Sequence, residues 1–301
     1  MFRTNWLRNS LFLAVTSALV AGCNGSSSGS DTGRLSLNVT DAPVDSASKV
    51  VVSFSGVELQ SGGSRTEILF DEPRTIDLLA LQGSNSANLL EGQELPAGEY
   101  QWMRLLVNAE QDSVLDSYIE FEDGSVQELS VPSGSQTGLK LVRGFTLLAG
   151  GSADFTIDFD LRKSVVDPKG GQGMHLKPAL RLIDNAQSGT ITGTVAGELI
   201  ASACADASLD AGAVYAFVGS DVVADDVDGD AGDPLTSALV NENAGVYSYE
   251  LGFMPVGTYT LAYTCEAATD DAESDDVIVF AEQANAEVVA DQTTQADFSG
   301  I

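Results

Sequence analysis

Histidine and cysteine are nearly missing from this sequence, with one and three residues. A His-rich catalytic centre or a zinc cluster therefore has almost no raw material. Cations are scarce as well. Fourteen Lys and Arg stand against 44 Asp and Glu, a formal net charge of −30. Phosphate backbones repel such a surface, which excludes nucleic acid as a partner. Two Trp in 301 residues leave few platforms for stacking sugars. No P-loop, dinucleotide fingerprint or nucleophile elbow occurs. What the chain does have is 44% apolar residues. That is ordinary for a globular protein and excludes an intrinsically disordered chain.

The charge is unevenly spread. Residues 1–30 hold Arg3 and Arg8 and no acid, and residues 31–185 hold 12 Lys and Arg against 23 acids. Residues 186–301 hold 21 acids and no Lys or Arg, the last cation being Arg181. This break predicts a domain boundary near residue 185.

The N-terminus reads as an export signal. Arg3 and Arg8 precede an apolar core, Leu11–Val20, too short to span a membrane but suited to a signal peptide. Val20-Ala21-Gly22-Cys23 follows and resembles a bacterial lipobox. The resemblance implies a cleaved lipoprotein signal over residues 1–22, diacylation of Cys23, and membrane attachment through acyl chains. Each buried methylene of those chains contributes about 0.8 kcal/mol. Residues 23–33 form a Gly/Ser-rich tether reaching roughly 17 Å. Asn24, rather than Asp, follows the Cys. By the sorting rule of diderm bacteria this resembles an outer-membrane lipoprotein of the cell envelope.

Both remaining regions read as β. Leu35, Leu37 and Val39 alternate with polar residues, and Phe155, Ile157, Phe159 and Leu161 do so most cleanly. Val50, Val52 and Phe54 form a β-branched run, and Asp123-Gly124 is a hairpin turn. One short helix is expected around Ile76–Gln82. Pro96-x-Gly98-x-Tyr100 and Pro255-x-Gly257-x-Tyr259 each lead into a strand. Such a Tyr packs inward while its hydroxyl reaches backbone at a sandwich corner. One motif per region predicts an all-β protein of two β-sandwich domains of the immunoglobulin-like kind, over residues 34–185 and 186–301.

Four segments carry a resemblance in the first region: Leu37–Pro43, Gly138–Phe145, Asp158–Ser164 and Leu176–Arg181. They resemble the bacterial domain of unknown function 4382, which implies an envelope β-sandwich and no known activity. Gly189–Val195 and Leu251–Thr260 resemble, more loosely, the carboxypeptidase-regulatory or prealbumin-like sandwich. That resemblance implies a structural or carbohydrate-binding-like module.

With Cys23 given to lipid, Cys204 and Cys265 remain in an exported region, where an oxidising compartment favours a disulfide. Asp225–Asp233 places five carboxylates in nine residues, and Asp226, Asp228, Asp230 and Asp233 form a candidate calcium loop. Its match to the EF-hand template is partial, and a solvated acidic loop is the competing reading. Asp270, Asp271, Glu273, Asp275 and Asp276 form a second acidic run. Tyr247 and Tyr249 share a strand face and are the candidate ligand platforms, whereas Trp102 is expected to be buried. Asp158 and Asp160, about 6–7 Å apart by strand rise, are a carboxylate pair of the kind glycosidases use. Arg162 continues their face and favours an ion-paired stripe. His175 sits beside a Gly-rich turn without a nucleophile. Lys140, Arg143, Lys163, Lys177 and Arg181 either bind an anionic glycan or neutralise their own domain. The expectation is a non-enzymatic, lipid-anchored envelope protein with a binding or structural role, carbohydrate being the ligand class. Its rivals are an adhesion or assembly protein and a glycan hydrolase built on Asp158 and Asp160.

Overall fold

The computed structural model describes residues 31–42, 47–132, 138–167, 173–204 and 211–300. Cys23 and the export segment lie outside these residues. Among the described residues no helix is long and apolar enough to cross a membrane. The fold is all-β and built of packed sheets.

Alternation sets the first sandwich. Leu35, Leu37 and Val39 turn to one face of the strand Thr32–Ala42 and are fully buried. That strand lies inside a four-stranded sheet, parallel to Ser152–Asp160 on one side and antiparallel to Ala87–Pro96 on the other. Leu180–Asp184 closes the sheet at its edge. The opposing nine-stranded sheet is organised by the long strand Ala47–Ser61, which pairs with Ser64–Asp77, Gly98–Val107 and Tyr118–Phe121. The β-branched run Val50, Val52 and Phe54 faces the core. Phe54 meets Phe159 of the other sheet edge to face, with centroids 6.1 Å apart. Each large apolar side chain enclosed this way stabilises the fold by about 1.5–3 kcal/mol. The Asp123-Gly124 turn joins Tyr118–Phe121 to Val126–Ser130, with Gly124 at φ 80°.

The second sandwich stacks two four-stranded sheets. Ser188–Thr194 and Val246–Pro255 form the centre of one, and Ala213–Val218 and Gly257–Thr264 the centre of the other. Ile191, Leu251, Val214, Leu261, Tyr263 and Phe298 fill the space between. Gly193 is required there, because a Cβ would stand 1.7 Å from the Ala296 carbonyl oxygen. A disulfide joins Cys204 to Cys265, whose Cα atoms are 5.2 Å apart. The two corner tyrosines behave alike: Tyr100 donates to the Pro96 carbonyl and Tyr259 to the Pro255 carbonyl, each at 2.7 Å.

Three local expectations change. The helix around Ile76–Gln82 is only a 3-10 turn, Leu78–Leu81, because the strand Ser64–Asp77 stays paired through Asp77. His175, next to the Gly-rich turn in sequence, belongs to the short strand Met174–Leu176 and not to the turn. The strand Ser152–Asp160 stops at Asp160, whose carboxylate accepts the Lys163 amide at 3.3 Å and caps the helical turn Leu161–Ser164. Arg162 therefore leaves the Asp158/Asp160 face.

Candidate functional site

The polar side of Ser152–Asp160 is solvated at Ser152 and Asp154 but not beyond them. Thr156 and Asp158 are buried, although alternation predicts them exposed. The second sandwich covers this face, and a cavity of about 340 Å³ remains between the two. Thr40, Asp41 and Asp158 line it from the first sandwich, together with the turn Gln82–Asn85. Residues 236–239, Asn241 and Glu250 line it from the second. That volume lies at the low end of the roughly 300–1,000 Å³ that small-molecule sites span.

Asp41 is the most unusual group in this cleft. It is 5% exposed, and neither carboxylate oxygen has a hydrogen-bond partner. Burial, reinforced by the charges of Asp158, Asp160 and Asp77, raises its pKa well above the usual carboxylate range. Its neighbour Thr40 is satisfied, donating to the carbonyls of Leu81 and Asn85. Asp158, 4% exposed, is held by the Arg181 guanidinium through both Nε and Nη2. Burial raises the Asp160 pKa despite the nearby Lys163. The carboxylate pair is thus divided between an ion pair and a helix cap.

The cleft is held by contacts across its rim. The Ser84 amide donates to Glu250 Oε1 at 2.8 Å. Beside it the backbones of Gly83 and Gly252 touch, and a Cβ on Gly252 would lie 2.2 Å from the Gly83 carbonyl oxygen. On another side Arg162 enters the second sandwich. It donates to the Tyr215 hydroxyl and, at 3.2 Å, to Asp270 Oδ2, which also accepts from Tyr215 at 2.6 Å. The Asp270 side chain is fully enclosed, and burial raises its pKa. Lys163 pairs with Asp233, and Lys177 with Glu273 at 3.7 Å.

The acidic loops are packed rather than free. Ala213, Tyr215, Phe217 and Ala262 on the outer face of the second sandwich are covered by Val227 and Ala267 from those loops. The four-residue calcium grouping read from the sequence is not brought together. Asp230 is exposed. Asp233 is occupied by Lys163 and by the amides of Asp228 and Gly229, contacts that outweigh burial and lower its pKa. Asp226 and Asp228 turn instead toward the second acidic run.

The tyrosine platform also changes. Tyr249 is 3% exposed, and its hydroxyl donates to the Ala296 carbonyl at 2.6 Å, so it belongs to the core. Tyr247 is half-buried against the same core. Alternation placed them correctly on one face, but that face points inward. Trp102 is half-buried on the nine-stranded sheet, with Arg65, Arg104 and Lys140 over its ring at 5.6, 5.0 and 4.5 Å. Asp41 was not anticipated, and Arg162, expected to pair along the Asp158/Asp160 face, pairs with Asp270 of the second acidic run instead. Asp41 does fall within the Leu37–Pro43 segment that carried the family resemblance.

No curated protein matches the chain. Among solved structures it is similar to the TIE protein of Bacillus anthracis, at 14% identity and TM-score 0.20, covering 88% of this chain and 33% of that one. It is similar to a candidate adhesin from Bacteroides ovatus, at 9% identity and TM-score 0.20, covering 97% and 99%. A candidate cell adhesion protein from Bacteroides fragilis gives 11% identity and TM-score 0.20, covering 88% and 92%. The chain spans about a third of the first of these. Superpositions this loose carry no argument about function. The sequence match is more specific: residues 32–178, just under half of the chain, fit the family described as Domain of unknown function (DUF4382).

Proposed function

We propose that the protein is a non-enzymatic, lipid-anchored binding protein of the cell envelope, and that the cleft between its sandwiches takes a carbohydrate. Asp41 carries this reading. A buried carboxyl with two unpartnered oxygens costs about 1–3 kcal/mol unless something satisfies it. Protonated, it can both donate to and accept from sugar hydroxyls. The amides of Gln82, Asn85 and Asn241 and the hydroxyls of Ser84, Thr236 and Ser237 supply further partners of the same kind. Attachment through Cys23 and an outer-membrane address follow from the lipobox resemblance.

The engagement of Asp158 by Arg181 supports binding over hydrolysis, because a carboxylate so held is a poor nucleophile or general acid. A glycan array on the mature protein, followed by calorimetry, tests the proposal. The expected result is a binder whose affinity falls at least about tenfold in Asp41→Ala, with the fold retained by circular dichroism. Absence of glycan binding would overturn the carbohydrate reading. Turnover lost in Asp158→Asn would make the protein an enzyme.

A second reading rests on Trp102. Its three cations outnumber the one carboxylate, Glu58, that pairs with Arg65 and Arg104, and this local excess favours adhesion or assembly with an acidic envelope partner. Loss of co-sedimentation with envelope fractions in Trp102→Ala, but not in Asp41→Ala, would favour it.

A further inference from the structure

Two acidic runs about 50 residues apart in sequence meet on the outer face of the second sandwich. One carboxylate oxygen from each of Asp226, Asp270 and Asp276 lies within 4.8 Å of the others, and the same holds for Asp226, Asp228 and Asp275. Asp226 belongs to both groups. It is 2% exposed; its Oδ2 accepts the Asp276 amide, and its Oδ1 has no partner. The other carboxylates are oriented by the loops themselves. Asp270 Oδ1 accepts the Val227 amide at 3.1 Å, and Asp276 Oδ2 accepts the Asp271 amide at 2.8 Å. Asp228 Oδ1 accepts the Asp230 amide at 2.8 Å.

We propose that Asp226, Asp228, Asp270, Asp275 and Asp276 form a calcium site with Asp226 at its centre. Three considerations carry this. A buried carboxylate oxygen left without a donor is a costly arrangement that a cation relieves. Ligands held about 2.4 Å from a common ion lie at most about 4.8 Å apart, which is the spread of both groups. An all-oxygen set contributed by two loops suits calcium, whereas magnesium needs a tighter octahedron and keeps most of its water. Arg162 is the cation already present, and it reaches Asp270, at one end of this group. An ion here would tie residues 226–228 to 270–276 and fix Asp270, the residue that Arg162 engages from the first sandwich. The site is separate from the carbohydrate cleft and does not rest on it.

The test is thermal unfolding and calorimetry of the mature full chain, stripped with chelator, against calcium chloride, magnesium chloride and sodium chloride of equal ionic strength. Extracellular calcium modules bind at about 0.1–1 mM, so about 10 mM calcium should raise the Tm by roughly 3–8 °C. Magnesium should give less than half of that. Asp226→Asn should abolish the calcium shift. Because a buried substitution can disturb folding, Asp275→Asn provides an exposed second ligand variant, expected to weaken calcium at least about tenfold. Asp230→Asn should leave the shift intact. Without calcium, Asp226→Asn should melt no lower than the parent, because like-charge repulsion is relieved. No calcium shift beyond that of sodium would overturn the site. So would a shift that survives in both Asp226→Asn and Asp275→Asn, or one lost equally in Asp230→Asn.

Discussion

The two sandwiches share a corner motif, yet they solve the problem of charge differently. The first holds all the cations outside the export segment and satisfies acids internally, as Arg104 and Arg65 do for Glu58 and Arg181 does for Asp158. The second has no Lys or Arg and borrows its counter-charges. Arg162, Lys163 and Lys177 reach Asp270, Asp233 and Glu273 from one short stretch of the first sandwich. Composition makes the two regions look independent, whereas the ion pairs make the second one an electrostatic dependant of the first.

The comparison can be broken at several points, beginning with the disulfide, which only the second sandwich has. Replacing Cys204 and Cys265 together by Ala should cost about 4 kcal/mol, since a bridge spanning 61 residues constrains the unfolded chain. Denaturant unfolding should show the loss in a transition assigned to the second sandwich while the first is unmoved. Arg162→Met follows at about 3 kcal/mol, because it strands the enclosed Asp270 carboxylate. That loss should also fall on the second sandwich, although the substitution lies in the first. If it fell on the first alone, the dependence would be disproved.

Asp41→Asn should act in the opposite direction. The folded-state pKa of Asp41 is raised, so the folded protein holds this proton more tightly than the unfolded chain. The associated stability is fully present below the unfolded value of about 3.9 and is lost as pH rises through the folded value. The Asn variant should therefore match the parent at low pH and exceed it at neutral pH by about 1 kcal/mol or more, because the amide removes the buried charge while leaving a polar group of the same size. Urea midpoints across pH 3–8 would read this directly. The smallest effect is Lys177→Ala, at about 0.5 kcal/mol or less, because both partners are half in water. A larger loss would mean that even the outer ion pair contributes to docking.

Much of the architecture was legible because period-2 patterning and corner motifs report local geometry. Leu35, Leu37 and Val39 were read as inward-facing, and they are. What eluded the sequence is whatever the second sandwich does to the first. Asp158 belongs to the polar half of an alternating strand, and nothing local reveals that this half is also covered. Tyr249 was misread for a related reason: alternation defines two faces without saying which one meets a partner sheet. Asp226 and Asp276 illustrate a third limit. Each run is visible by itself, but their convergence follows from loop paths over Tyr215 and Phe217.

The placement of Thr32–Ala42 has a mechanical consequence. The chain enters the described fold at residue 31 and passes at once into a strand bonded on both sides, to Ser152–Asp160 and to Ala87–Pro96. A pull directed along that strand would load both ladders in shear, so many bonds would have to yield together. A terminal strand at a sheet edge could peel away one bond at a time. Under such a load this central placement favours resistance over unzipping.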